Sequence, residues 1–111
     1  MSGYIPKKGD LVILTFDSQA GHEQKGRRPA LVLSNYLFNK HTGFALTCPI
    51  TNTERKIPFH VKLPPSSSLS GFVMVDQVKS IDYSRRQMKY VEHVSSELVE
   101  EALAILDTCL F

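Results

Sequence analysis

A polar stretch between two apolar runs carries the residues most suited to chemistry in this sequence. Residues 21–29 contain a histidine, a carboxylate, three basic residues and two glycines. The flanking runs, residues 11–16 and 30–33, are rich in residues that favour strands, so we expect a loop held by a sheet. Loops on rigid sheets often carry functional residues, and Pro29 pushes Arg28 towards an extended conformation. Arg28 is therefore predicted to project from the root of a strand.

The basic residues form three clusters, whereas the acidic residues gather towards the C-terminus. The net charge of +2 is too small to indicate a polyanionic partner by itself. If the clusters share one face, that face suits a phosphate backbone, and the alternative is that they are solvated loop charges. The clusters are Lys25, Arg27 and Arg28, then Arg55 and Lys56, then Arg85, Arg86 and Lys89.

Short strands and one terminal helix make up the predicted scaffold. Alternation and turn residues predict strands at 10–16, 30–33, 44–48, 57–63, 71–83 and 88–94, with a short helix at 36–39 capped by Ser34 or Asn35. Pro49 is expected to end the third strand, and the side chain of His60 is expected on the solvent-exposed face of the fourth strand. From residue 95 apolar residues recur every three or four positions, which predicts a helix with Ser95 as its N-cap. The expected fold is mainly β, a small curled sheet or barrel closed by a C-terminal helix.

Length and composition favour one globular domain over residues 1–111. The chain is 42% hydrophobic and 22% charged, which is ordinary for a folded protein. No apolar run is long enough to span a bilayer and residues 1–8 lack a signal-peptide core, so a cytoplasmic protein is expected. Cys48 and Cys109 are expected to be buried thiols. The four histidines are not spaced as ligand pairs, so no metal or other cofactor is expected.

A short opening pattern and three sequence blocks, in order, resemble the MazF/PemK-type toxins of bacterial toxin–antitoxin systems. The opening pattern Gly-Asp, an apolar strand and Phe-Asp runs from Gly9 to Asp17. The signature Glu-Gln-x-Gly-x-Arg-Pro stands at residues 23–29, followed by Ala-Leu-Val-Leu-Ser. A proline followed two positions later by threonine appears at 49–51, and Asp-Gln-Val-Lys-Ser at 76–80. Any one block would be weak, whereas all three together are specific.

The resemblance implies a small Src-homology-3-like barrel that forms a homodimer. It also implies a metal-independent endoribonuclease that cuts single-stranded RNA, often messenger RNA, at short sequences. A cognate antitoxin with an acidic, disordered tail is expected to cover the RNA groove. No membrane partner is expected.

The same resemblance assigns catalytic roles to Arg28, Thr51 and Glu23. Metal-free RNA cleavage uses the neighbouring 2′-hydroxyl as nucleophile, and Arg28 suits the charge that develops on the phosphate because its guanidinium stays cationic and binds two oxygens. Thr51 is expected to donate a hydroxyl hydrogen, and the family pattern favours it over Thr53. Glu23 is the candidate general base, while His22 is an alternative acid that the residues alone do not distinguish from an uninvolved histidine.

A wider set of polar residues is expected to bind RNA. It comprises Gln24, Lys25, Arg27, Asn52, Thr53, Arg55, Lys56, Gln77, Lys79, Arg85 and Arg86. Two alternatives are a non-catalytic inhibitor on the same fold, like the gyrase-poison relatives, and an RNA-binding module without catalysis. The gyrase poisons lack the arginine-containing signature, so Arg28 together with Thr51 argues against the first. The second would need only the basic clusters.

Overall fold

A computed structural model describes residues 3–15 and 26–111 of the chain. Seven strands and two α-helices form in this part of the chain, with short 3-10 turns at Val75–Gln77 and Tyr83–Arg86. The strands are β1 (Asp10–Thr15), β2 (Arg27–Val32), β3 (Phe44–Thr51), β4 (His60–Lys62), β5 (Phe72–Met74), β6 (Lys79–Asp82) and β7 (Lys89–His93). The helices are α1 (Tyr36–Thr42) and α2 (Ser96–Leu110). The expected mainly β fold with a C-terminal helix is confirmed.

All strand pairs are antiparallel and belong to one sheet. Its order is β4-β5-β3-β2-β1-β7, and β6 pairs with the first half of β3. The outer strands β4 and β7 do not pair with each other in the described residues, so the sheet is not a closed barrel there. The long strand β3 contacts β2 along one side and both β5 and β6 along the other.

Both faces of the sheet are covered by apolar side chains. On one face Leu11, Leu31 and Cys48 pack with Val99 and Ala102 of α2. On the other face a smaller cluster that includes Val12 and Val32 packs with residues of the N-terminal segment and Tyr83. Because successive strand residues point to opposite faces, the near-continuous apolar runs of β1 and β2 supply both clusters.

Helix α2 begins as its sequence predicts. The side chain of Ser95 accepts a hydrogen bond from the Leu98 N–H, and Val94 and Val99 are both buried on either side of that cap. The predicted apolar stripe packs on the sheet through Val99, Ala102, Leu103 and Leu106. Its last member, Leu110, is 65% exposed.

Local geometry explains why glycine and aspartate stand at Gly9-Asp10, directly before β1. Gly9 has φ +97°, and a Cβ there would lie 2.9 Å from Cε1 of His93. Asp10 is 2% exposed, and its carboxylate accepts hydrogen bonds from the Tyr4 hydroxyl and the Lys7 N–H and lies 2.9 Å from His93 Nδ1. One buried carboxylate therefore ties the N-terminal segment to β1 and β7.

Pro49 does not end β3, contrary to the sequence prediction. The strand continues to Thr51, and Pro49 lies opposite Ala30 of β2. On the other side of β3 the pairing with β6 ends at Thr47 and the pairing with β5 begins at Ile50. Pro49 thus occupies the gap between two partner strands, where a missing N–H removes no ladder bond.

Several predicted strand boundaries were also wrong. The strand expected at 57–63 is reduced to β4, because the chain turns at 57–60, where the His60 N–H bonds to the Ile57 carbonyl oxygen. The strand expected at 71–83 is divided by the 3-10 turn at Val75–Gln77, since β5 and β6 pair with different halves of β3. The first helix extends past residue 39 to Thr42, and Gly43, with φ +76°, ends it.

Two burial predictions require correction. The side chain of His60 is only 5% exposed, because the turn that contains Asp76 covers the outward face of β4 and brings its Oδ1 to 3.4 Å from His60 Nε2. Cys48 is buried as expected, but Cys109 is exposed, since the end of α2 presents it away from the sheet.

No helix among residues 3–15 and 26–111 is long and apolar enough to cross a membrane.

Candidate active site

Arg28 and Thr51 lie at adjacent ends of the neighbouring strands β2 and β3. The last recorded pair of the β2–β3 ladder sets Ala30 opposite Pro49. The ladder ends there, and the same register continued by two residues would set Arg28 opposite Thr51, both of which lie within their strands. Opposite residues of an antiparallel pair project on the same face, with Cβ atoms about 5 Å apart. This extended register predicts that the cation and the hydroxyl lie near each other on the sheet.

The Arg28 side chain is available to a ligand. Arg28 is exposed, and within residues 3–15 and 26–111 it makes no hydrogen bond or ion pair. Its backbone, by contrast, is held in the β1–β2 ladder opposite Leu14. A guanidinium on a fixed backbone and without a carboxylate partner in the described chain is suited to binding an anion.

Thr51 has a fixed position and an available hydrogen. Its Oγ1 accepts a hydrogen bond of 3.1 Å from the Thr53 N–H, which leaves the hydroxyl hydrogen to be donated elsewhere. The backbone at Thr51 is held by β5, where Phe72 lies opposite it. Gly71 has φ +127°, and a Cβ there would lie 2.6 Å from the Thr51 carbonyl oxygen. Sequence reasoning missed Gly71, although a glycine directly before an apolar strand was a usable signal.

Arg27 differs from Arg28 because its guanidinium is already engaged. Its Nη1 donates to the Gln87 carbonyl oxygen at 2.7 Å, with a longer contact of 3.4 Å to the Arg86 carbonyl oxygen. Arg86 in turn donates from Nη1 to the Thr15 carbonyl oxygen at 3.2 Å. Two residues predicted to bind RNA therefore make main-chain contacts, a role that sequence reasoning did not find.

The segment that follows Thr51 carries four of the predicted RNA-binding residues. Asn52, Thr53, Arg55 and Lys56 are all exposed, and Lys56 has φ +52°. The segment follows β3 directly, so these side chains extend from the strand end that bears Thr51.

The remaining described residues of the predicted set lie on the chain from β5 to β7. Gln77 is exposed at the end of the 3-10 turn, and Lys79 opens β6 opposite Thr47. Arg85 is highly exposed, with Nε 3.4 Å from a carboxylate oxygen of Asp82. These residues lie on the other side of β3 from Arg28 or on the turn before β7.

Four predicted site residues lie outside the described part of the chain. They are His22, Glu23, Gln24 and Lys25. The predicted general base and the alternative acid are among them. Their roles stay predictions.

Cys48 is not suited to act as a nucleophile. It lies at the centre of the sheet opposite Leu31 and is fully buried. Burial, assisted by the negative charge of Asp76, raises the pKa of the Cys48 thiol to about 12. The thiol is therefore protonated at neutral pH.

Among the described residues, no three His, Cys, Asp or Glu side chains gather in a group able to hold a metal ion.

Comparison with known sequences decides the family. Residues 7–110 match the profile of the PemK-like, MazF-like toxins of type II toxin–antitoxin systems. The chain belongs to this family. The resemblance drawn from the three sequence blocks is thereby confirmed.

Characterised members of the PemK/MazF family share much of the sequence. The endoribonuclease toxin MazF of Escherichia coli K12 is 42% identical over 86 residues, which cover 78% of this chain and 77% of MazF. The endoribonuclease toxin ChpB of the same strain is 42% identical over 102 residues, with 87% of each chain covered.

Solved structures show the same architecture. MazF from Deinococcus radiodurans superposes with a TM-score of 0.88 at 40% identity, covering 97% of this chain and 98% of that one. A MazE–MazF complex from the same organism gives a TM-score of 0.89 at 37% identity over 96% and 97% of the two chains. The arrangement of strands around Arg28 and Thr51 is thus part of a fold shared along nearly the whole chain.

Proposed function

We propose that this protein is the toxin of a type II toxin–antitoxin pair and an endoribonuclease that cuts single-stranded RNA, including messenger RNA. Family membership and relatives named endoribonucleases support the activity. The observation that carries the proposal is that the β2–β3 ladder ends at Ala30 and Pro49, two residues from Arg28 and two from Thr51, so that both residues lie at the same end of the strand pair. Cleavage of messenger RNA would inhibit translation and arrest growth.

The proposed reaction is attack by a ribose 2′-hydroxyl on the adjacent phosphate. A bond forms between O2′ and phosphorus, and the bond from phosphorus to O5′ breaks. The products are a 2′,3′-cyclic phosphate and a 5′-hydroxyl. This chemistry needs no metal, because the nucleophile belongs to the substrate and the protein supplies charge and proton transfer.

Arg28 and Thr51 would stabilise the transition state. Negative charge accumulates on the non-bridging phosphate oxygens, and preorganised donors at such a position are usually the largest catalytic contribution. The Arg28 guanidinium can bind two oxygens at once, and the Thr51 hydroxyl can donate one further hydrogen bond. Both side chains are carried by strands, so little reorganisation is needed when the charge develops.

Arginine is poorly suited to the proton transfers. Its guanidinium stays protonated at any working pH, so it neither accepts nor readily gives up a proton. We assign removal of the 2′-hydroxyl proton to Glu23. His22 is the candidate for protonating the departing O5′. These assignments rest on side-chain chemistry and on the family signature at residues 23–29.

We propose that RNA lies across the surface formed by the end of β3 and the chain that follows it. The contacts would come from Asn52, Thr53, Arg55 and Lys56, with Gln24, Lys25, Gln77, Lys79 and Arg85 extending the groove. The exposure of those members that the structure describes, and the mostly basic character of the set, suit a single strand whose phosphates dominate affinity.

The proposed partners are an antitoxin and a second copy of the chain. Related MazF structures include complexes with MazE, which supports a cognate antitoxin. We propose that an acidic, disordered tail of this antitoxin covers the RNA surface. We further propose a homodimer that acts in the cytoplasm, where messenger RNA is found.

The test is cleavage of a long single-stranded RNA by the purified protein in EDTA. We expect cuts at one short recurring sequence, with a 2′,3′-cyclic phosphate and a 5′-hydroxyl at every cut, as read by end-group mapping. Intact RNA across many sequence contexts would reject the activity. Ends with a 5′-phosphate would reject the 2′-hydroxyl mechanism.

A further inference from the structure

The open end of the β1–β2 pair is tied to the turn before β7 by two arginines. Thr15 and Arg27 form the last rung of the β1–β2 ladder. Arg27 donates to the carbonyl oxygens of Gln87 and Arg86, and Arg86 donates back to the Thr15 carbonyl oxygen. We call this closed ring of contacts the arginine clamp.

The clamp joins parts of the chain that are distant in sequence. Arg27 reaches a carbonyl 60 residues further on, and Arg86 reaches one 71 residues back. Gln87, which supplies the shorter contact, has φ +54°, so the backbone turns at the point where its carbonyl meets the guanidinium. A hydrogen bond from a charged donor to a neutral carbonyl oxygen is stronger than one between two neutral groups.

Arg28 lies one residue beyond the clamped rung. It pairs with Leu14, next to the rung of Thr15 and Arg27. Any shift of that rung would move the Arg28 backbone relative to Thr51, whose own position is set by β3 and β5. A displacement of about 1 Å at a catalytic group can cost roughly 100-fold in rate.

We propose that Arg27 and Arg86 are positioning residues that hold Arg28 in register with Thr51, rather than contacts to RNA. This inference rests on the proposed function. The proposal gives the two neighbouring arginines different roles. Arg28 is unpaired within the described residues, whereas Arg27 already donates to main-chain oxygens.

The first test separates positioning from binding by kinetics. Arg27→Gln and Arg86→Gln should each lower single-turnover kcat by about tenfold to a hundredfold, and Arg27→Lys should recover part of the loss because it keeps one charged donor. KM should change little. Lys40→Gln, which removes one exposed charge from α1, should retain the wild-type kcat.

The second test measures binding of an oligonucleotide that carries a 2′-deoxyribose at the mapped cut and cannot be cleaved there. A phosphate contact contributes about 0.7 to the slope of log affinity against log salt for a single strand. Arg27→Gln should leave that slope unchanged, whereas Arg85→Gln should lower it. A reduced slope with an unchanged kcat for Arg27→Gln would overturn the proposal.

A third measurement does not depend on cleavage. Amide hydrogen exchange at Leu14 and Arg28 should accelerate in Arg27→Gln while exchange at Val12 and Ala30 stays the same. Unchanged exchange at Leu14 and Arg28 would reject the clamp. Failure of the wild-type protein to cut RNA would instead reject the proposed function, and the exchange result would still decide whether the clamp orders this end of the sheet.

Discussion

Arg28 and Thr51 lie where β2 begins and β3 ends, and each is two residues from the last pair of the ladder between these strands, Ala30 and Pro49. This relationship connects a signature loop to a second block more than twenty residues away. Each residue is held by a different neighbour, β1 for Arg28 and β5 for Thr51. The two proposed catalytic residues are thus each held by a further strand of the sheet.

Substitution of Arg28 should reduce the cleavage rate more than substitution of Thr51. Arg28→Ala removes the charge at the phosphate and should reduce single-turnover cleavage roughly 100- to 1000-fold. Arg28→Lys keeps the charge but loses the two-pronged geometry, so an intermediate loss is expected. Thermal unfolding should be nearly unchanged, because the side chain is exposed. Full activity in either variant would remove Arg28 from the site.

The two threonines after Pro49 can be separated by isosteric substitution. Thr51→Val removes the hydroxyl and should slow cleavage, whereas Thr51→Ser keeps it and should recover most of the rate. Thr53→Val is the comparison variant: it removes a side chain proposed to contact RNA but keeps the backbone N–H that bonds to Thr51, so it should weaken binding and leave the cleavage rate at saturation close to that of the wild type. Equal loss in Thr51→Val and Thr53→Val would contradict the assignment.

Asp10 should be a position where substitution affects stability more than activity. Asp10→Ala leaves the Tyr4 hydroxyl, the Lys7 N–H and His93 without their common acceptor, so a loss of about 3 kcal/mol in the free energy of unfolding is expected. His93→Gln removes one half-exposed partner and should cost about 1 kcal/mol. Urea denaturation measures both. A loss for Asp10→Ala below that of His93→Gln would show that the buried carboxylate is not the organising group.

Glu92 should make stability sensitive to acid. Hydrogen bonds from Ser67 and Ser68 lower the pKa of Glu92, which ties the loop at 64–70 to β7. Because the folded pKa lies below the unfolded one, this contribution is complete above the unfolded pKa and is lost as pH falls through the folded pKa. Between about pH 6 and about pH 3 the wild type should therefore lose more stability than Glu92→Gln. Parallel pH profiles for the two proteins would contradict this.

Local sequence patterns predicted the elements that depend on local interactions. The spacing of apolar residues and Ser95 predicted α2 and its cap. The sequence blocks singled out Arg28 and Thr51, although the strands predicted at 30–33 and 44–48 stopped short of both residues. These features depend on neighbours a few residues apart or on a family pattern, so a single sequence contains them.

Features that depend on distant partners could not be predicted in the same way. Pro49 is tolerated inside β3 because two other strands meet beside it, and His60 is covered by a turn sixteen residues later. The clamp role of Arg27 depends on carbonyl oxygens that every residue has, so no side-chain pattern indicates it. Tertiary contacts of this kind leave little trace in composition or spacing.

The central claim is that the side chains of Arg28 and Thr51 meet on one phosphate. The most direct measurement is a crystal structure of the protein bound to an oligonucleotide spanning its mapped cut, with a 2′-deoxyribose at the reacting position. We predict that the Arg28 guanidinium and the Thr51 hydroxyl both lie about 3 Å from non-bridging oxygens of the scissile phosphate. A scissile phosphate bound elsewhere, with Arg28 turned away from Thr51, would contradict the mechanism.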